Sequence, residues 1–132
     1  MQIYISEESV IKEIQEKFRT LYPYLKLEFY RKPHLKGEYS PEEDKISSDT
    51  PIENIRLRNN PGWMDISYYR TAAAVEHDLS YIFGLNAQIL RKAGTLWLET
   101  IDTDSWTLEE LNNAGKPSQR YSLRYPEEPD KE

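Results

Sequence analysis

The residues with the most chemical promise are acids and bases that fall close together. Asp102-Thr103-Asp104 sets carboxylate oxygens at alternate positions, as the opening of a calcium loop does. The pattern then breaks, because the third ligand position holds Trp106, the glycine position Thr107 and the closing glutamate position Asn113. Asp104 or Thr107 as the cap of a following helix accounts for the same residues. Arg31-Lys32 and Arg91-Lys92 carry the charge of a phosphate clamp, and Glu99 with Asp102 that of an acid-base pair. His34 lies in a polar stretch and His77 beside Glu76 and Asp78, with no HExxH spacing. Cysteine is absent, which removes thiolate metal sites and disulfides. No nucleophile elbow, Walker loop or dinucleotide glycine fingerprint occurs. The expectation is a protein that is not an enzyme, with no catalytic residue, metal or cofactor.

The elements that must position these residues are legible from periodicity. Gln2 to Ile5 alternates polar and apolar residues, as a half-buried strand does, and Ser6 stands where a helix N-cap is wanted. Val10, Ile11, Ile14, Phe18 and Leu21 then recur at helical spacing. Pro23 stops that helix, and Leu25, Leu27 and Phe29 alternate as a second strand. Residues 33–50 are polar, rich in turn formers and without period, and read as a mobile loop. A third strand follows the Asn59-Asn60-Pro61-Gly62 turn, and Thr71 to Phe83 is a second helix with Gly84 at its left-handed C-cap. Strand four runs to Lys92 and turns at Ala93-Gly94 into a fifth strand, Thr95 to Ile101. Thr107 and Glu110 match a capping box that opens a third, short helix ended by Gly115. Residues 1–125 form one α+β domain in this reading, and 126–132 an acidic, disordered tail.

Two stretches of the chain echo each other. Val10, Ile14 and Phe18 recur 65 positions on as Val75, Leu79 and Phe83, and the run from Leu25 to Lys32 recurs 60 positions on as Leu85 to Lys92. Two β-α-β units in succession predict a ferredoxin-like βαββαβ sheet, antiparallel, in strand order 4-1-3-2 with both helices on one face and the fifth strand beside the fourth. The helix side would carry Ile3, Ile5, Leu25, Leu27, Phe29, Met64, Ile66, Tyr68, Ala87, Ile89, Leu96 and Leu98. Alternation then puts Tyr4, Tyr30, Trp63, Asp65, Tyr69, Leu90, Trp97 and Glu99 on the other face. A face so rich in large rings marks something that covers it. The C-terminal segment is the first candidate, laying Trp106, Leu108, Leu111, Tyr121, Leu123 and Tyr125 across the sheet. A protein partner, most simply a second copy in a homodimer, is the next.

The first and third strands also bear a resemblance. Ile3-Tyr4-Ile5 is similar to the start of the first-strand signature of the RNA recognition motif, and Gly62-Trp63-Met64-Asp65-Ile66-Ser67-Tyr68 lies over its third-strand signature. That resemblance implies base stacking on Tyr4 and Trp63. The remaining stacking position holds Asp65, and Pro61 replaces the basic residue before the glycine. With a formal charge of −6, the 132-residue chain as a whole repels phosphate backbones and anionic membranes. No apolar run approaches the length that spans a bilayer, and no basic-then-apolar leader opens the sequence, so a cytoplasmic location is expected. The favoured function is therefore a non-catalytic protein-protein interaction module. Its anchors would be Tyr4, Tyr30, Trp63, Tyr69 and Trp97, with Trp106 as their cover or neighbour; binding of single-stranded RNA is the alternative.

Overall fold

Ile3 and Ile5 point inward and Gln2 and Tyr4 outward along the first strand, β1 (Gln2–Ile5), because successive side chains of an extended chain take opposite sides. In this computed structural model, which describes residues 1–33, 39, 41–55 and 60–117, β1 pairs antiparallel with β3 (Gly62–Asp65). A second, three-stranded sheet holds β2 (Leu25–Tyr30), β4 (Asn86–Ala93) and β5 (Leu96–Glu99) in the order β2-β4-β5, all antiparallel. Three helices complete this α+β fold: α1 (Ile11–Leu21), α2 (Ala72–Tyr81) and α3 (Leu108–Gly115). Among the described residues, no helix is long and apolar enough to cross a membrane.

The strand order differs from the ferredoxin-like expectation. That order would seat β4 beside β1 and β2 beside β3, whereas here β1 and β3 form their own ribbon and β2 lies against β4. Crossover handedness orders parallel strands only within one sheet. With β1 and β2 in separate sheets, that restriction no longer applies. Burial of Ala87, Gln88, Ile89 and Leu90 in succession marks β4 as a strand covered on both faces.

The two β-α-β units nevertheless repeat in their burial. Ile3 and Ile5 correspond to Met64 and Ile66, and Ile11, Ile14, Phe18 and Tyr22 to Ala72, Val75, Leu79 and Phe83, every pair 61 apart and every member buried. Leu25, Leu27 and Phe29 correspond to Leu85, Ala87 and Ile89 at a spacing of 60, again all buried. Both ladders are centred on such counterparts, Ile3 facing Met64 in one and Glu28 facing Gln88 in the other. That is the relation a local two-fold axis produces. The 65-residue spacing read from the sequence is four too long, and Val10 is the partly buried N-cap of α1 rather than part of its core stripe.

Local chemistry explains where the elements begin and end. The α1 cap is not Ser6, which instead makes a turn by donating its amide to Ser9 Oγ. The first free amides of α1, on Ile11 and Lys12, donate to the carbonyls of Thr50 and Ser48, and the Glu13 carboxylate accepts from Val10 N–H. Residues 44–46 are tied to β2 in turn, through Arg31 N–H to Asp44 O and Ile46 N–H to Phe29 O, and Ile46 is buried. The described part of the 33–50 segment is thus hydrogen-bonded to both β2 and α1; residues 34–38 and 40 lie outside the described residues. Gly84 and Gly94 adopt φ of +68° and +64°, the left-handed region that side chains avoid, and so end α2 and turn β4 into β5 as expected.

One apolar cluster joins both sheets and all three helices, and it includes Leu108 and Leu111 of α3 together with Leu25 and Ile89. The third helix therefore completes the main core and does not build a second one across the aromatic face. Tyr121, Leu123, Tyr125 and the acidic tail lie outside the described residues. Tyr22 is buried in the same core and its hydroxyl donates to Ile66 O at 2.6 Å; burial pushes this phenol up to about 12. The α3 capping box forms as expected, Thr107 Oγ1 accepting from Glu110 N–H at 3.1 Å and Glu110 Oε1 from Thr107 N–H at 2.9 Å. Thr107→Ala is expected to cost about 1 kcal/mol. The check is a lower urea midpoint at unchanged slope.

Candidate functional site

Tyr4 and Trp63 face each other across the β1–β3 ribbon, with ring centroids 5.1 Å apart and planes inclined at 61°. They stand outside because their neighbours Ile3, Ile5 and Met64 point into the core, leaving Tyr4 42 % and Trp63 62 % exposed. Among the described residues no backbone hydrogen bond reaches the outer edge of either strand. The ribbon thus offers an aromatic pair on its face and, apart from Asp65 O, which accepts from Arg70 Nη1 at 3.0 Å, open donors and acceptors on its flanks among the described residues. Asp65 shares that face, and the Ser67 hydroxyl and amide that donate to its carboxylate hold it below the usual carboxylate range. Arg70, held by Asp78 at 2.7 Å, adds in the same direction.

The remaining sequence-derived anchors are dispersed. Tyr69 is exposed and meets Tyr68 edge-on at 5.6 Å in the turn after β3. Tyr30 is buried, with Lys45 bridged to its strand, and presents no ring to a partner. Trp106 is exposed in the turn before α3, where its carbonyl accepts from Ala72 N–H. Tyr68, Leu96 and Leu98, expected on the helix side, are exposed: β3 ends at Asp65, and β5 is a short edge strand. Arg31 and Arg91 lie at opposite ends of the sheet, as expected, although their strands are neighbours rather than opposite edges. Among the described residues, no three His, Asp or Glu side chains are grouped as a metal site would need.

Trp97 sits in a different setting. Arg19 of α1, Lys26 of β2 and Lys92 of β4 place cationic groups 5.2, 4.9 and 5.4 Å from the centre of its indole ring. Arg19 and Lys26 also line a groove of about 730 Å³ bounded by α1, β2 and residues 45–48. Lys12, Gln15, Glu16 and Arg19 reach it because they recur at helical spacing on the side of α1 away from the core stripe. Gln15 fixes the floor by donating to Leu27 O at 2.8 Å. Glu28 is shared between Lys26 at 3.3 Å and Lys45 at 3.8 Å. Sequence reasoning missed this groove. The polar spacing on α1 was visible, but not the strand that its polar side would meet.

Glu76 occupies the α2 position that corresponds to Gln15 of α1, 61 residues on, and it too satisfies a strand edge. Its carboxylate accepts from Ile89 N–H at 2.8 Å and from Gln88 Nε2 at 3.2 Å, just beyond the end of β5. Burial pushes the Glu76 carboxyl up to about 8; the Ile89 bond opposes this, and the nearby Asp104 and Glu99 charges add to it. Gln88 Oε1 is buried beside it with no hydrogen-bond partner among the described residues. A smaller cavity of about 390 Å³ adjoins the group, lined by His77, Ser80, Asn86 and Asp104 among others. No model of a known protein family matches this chain, and neither does any curated protein or solved structure.

Proposed function

We propose that this chain is a non-catalytic interaction module that holds a protein partner, most simply a second copy of itself, on the outer face of the β1–β3 ribbon. The observation that carries the reading is the Tyr4–Trp63 pair, two large exposed rings in mutual contact on a ribbon whose outer strand edges make no backbone–backbone hydrogen bond among the described residues. Burying such rings contributes strongly at interfaces, and an open strand edge pairs readily with its own copy about a two-fold axis. Sedimentation across a concentration series is expected to show mass rising toward a dimer. Trp63→Ala is expected to weaken that association at least about tenfold. A single monomer mass at every concentration would sink the second-copy reading.

The contact of Tyr4 with Trp63 on adjacent antiparallel strands also favours a second reading, the stacking of single-stranded RNA bases. The ionised Asp65 on the same face opposes it by repelling phosphate. Retention of a mixed oligonucleotide that falls with salt and disappears in Trp63→Ala would select RNA over the protein partner.

A further inference from the structure

We infer that the groove between α1 and β2 is a binding site for an organic polyphosphate, with its phosphoryl groups held between Arg19, Lys26 and Lys92 at the Trp97 end. Three elements converge to place three cations within 5.4 Å of one ring centre, and like charges held that close repel one another. The chain carries 23 acids against 17 Lys and Arg, so counter-charges are plentiful. Yet among the described residues only Lys26 of the three has an ion-pair partner, Glu28, which Lys45 also shares. Arg19 and Lys92 make no ion pair among the described residues and rest on the indole.

The groove lining itself holds four cations, Lys12, Arg19, Lys26 and Lys45, against two acids, Glu16 and Glu28. Lys92 and Trp97 are outside the groove lining and adjoin it through Arg19 and Lys26, so Lys92 adds a further positive charge beside that end, and Glu99 of β5 shares the sheet face with Lys26 as a counterweight. A single carboxylate would answer one of these cations. Adjacent phosphoryl groups answer several, and the guanidinium fork of Arg19 matches phosphate oxygens in pairs. The volume of about 730 Å³ exceeds what a bare diphosphate fills and is in the range of sites for organic ligands. Pro23 and the methyl group of Thr20, both on exposed residues of the lining, supply apolar wall for the remainder of such a molecule.

The test is calorimetric titration of the full chain with ATP and, separately, with inorganic pyrophosphate at low salt, followed by the same titrations on Arg19→Gln and Lys92→Gln. Neither variant removes a buried group, and a circular dichroism spectrum of each serves as the check that the fold is retained. The expected result is saturable binding of one ATP per chain, weakened at least about tenfold by each variant and reduced as salt rises. Pyrophosphate is expected to bind at the same residues more weakly, since it leaves the apolar wall unused; equal affinity would overturn the organic part of the assignment. Absence of saturable heat with both probes, or binding that neither variant alters, overturns the site.

Discussion

Raising the pH from about 5 to about 9 is expected to lower the melting temperature of this protein, and Glu76→Gln is expected to remove most of that loss. The Glu76 carboxyl is pushed up to about 8 from its ordinary 4.5, chiefly because it is buried against β4 with Asp104 and Glu99 nearby. The folded chain therefore binds this proton more tightly than the unfolded chain does. Stability from this group is complete below the ordinary value and is lost as pH rises through about 8. The loss is on the order of a few kcal/mol, or roughly 10 °C in a domain of this size. Glutamine at this position keeps an oxygen for Ile89 N–H but has no proton to release. His77 adjoins the same cavity and remains in the variant, so the difference between the two pH profiles isolates Glu76. A flat wild-type profile, or equal slopes in the two proteins, would refute this assignment.

Gly115→Ala is expected to destabilise the fold by about 2 kcal/mol, although the same change in an exposed helix stabilises by up to about 1 kcal/mol. A Cβ at Gly115 would lie 2.9 Å from Tyr24 Cβ, 3.0 Å from Tyr24 O and 3.2 Å from Lys92 O. Two of these three neighbours are backbone atoms, and they belong to segments joined by the Lys92 N–H to Tyr24 O bond of 2.9 Å. Tyr24 N–H is held in addition by Asn112 Oδ1 at 2.9 Å. Relief would require α3 to move away from β4, exposing Leu108 and Leu111, both fully buried. A lower midpoint in urea is the expected reading, and an unchanged or higher one would show that α3 docks with room to spare.

Helix and strand identities were readable because burial in this chain follows the two backbone periods. Ile11, Ile14 and Phe18 recur as a helix must, and Leu25, Leu27 and Phe29 as a strand must. The same periodicity hid the register of the repeat. A slip of four residues along a helix returns nearly to the same face, so Val10, Ile14 and Phe18 mimic the buried stripe although Ile11 is the residue that faces the core. Among the site residues, Tyr4, Trp63 and Tyr69 were legible as outward rings because simple alternation or an adjoining turn places them there. Tyr30 was not, since its burial depends on a segment 15 residues further along the chain that crosses its strand at Lys45.

The sequence by itself determined the two β-α-β units, the capping box of α3, the glycine turns at 84 and 94 and the outward side of β1 and β3. These depend on backbone sterics and on neighbours within a few residues. Only the tertiary structure decided that β2 lies against β4, that α3 completes the main core, and that Arg19, Lys26 and Lys92 meet around Trp97. Strand order, helix docking and charge convergence join residues dozens of positions apart. The energies that choose among such arrangements come from shared burial and long-range electrostatics, which no local period records.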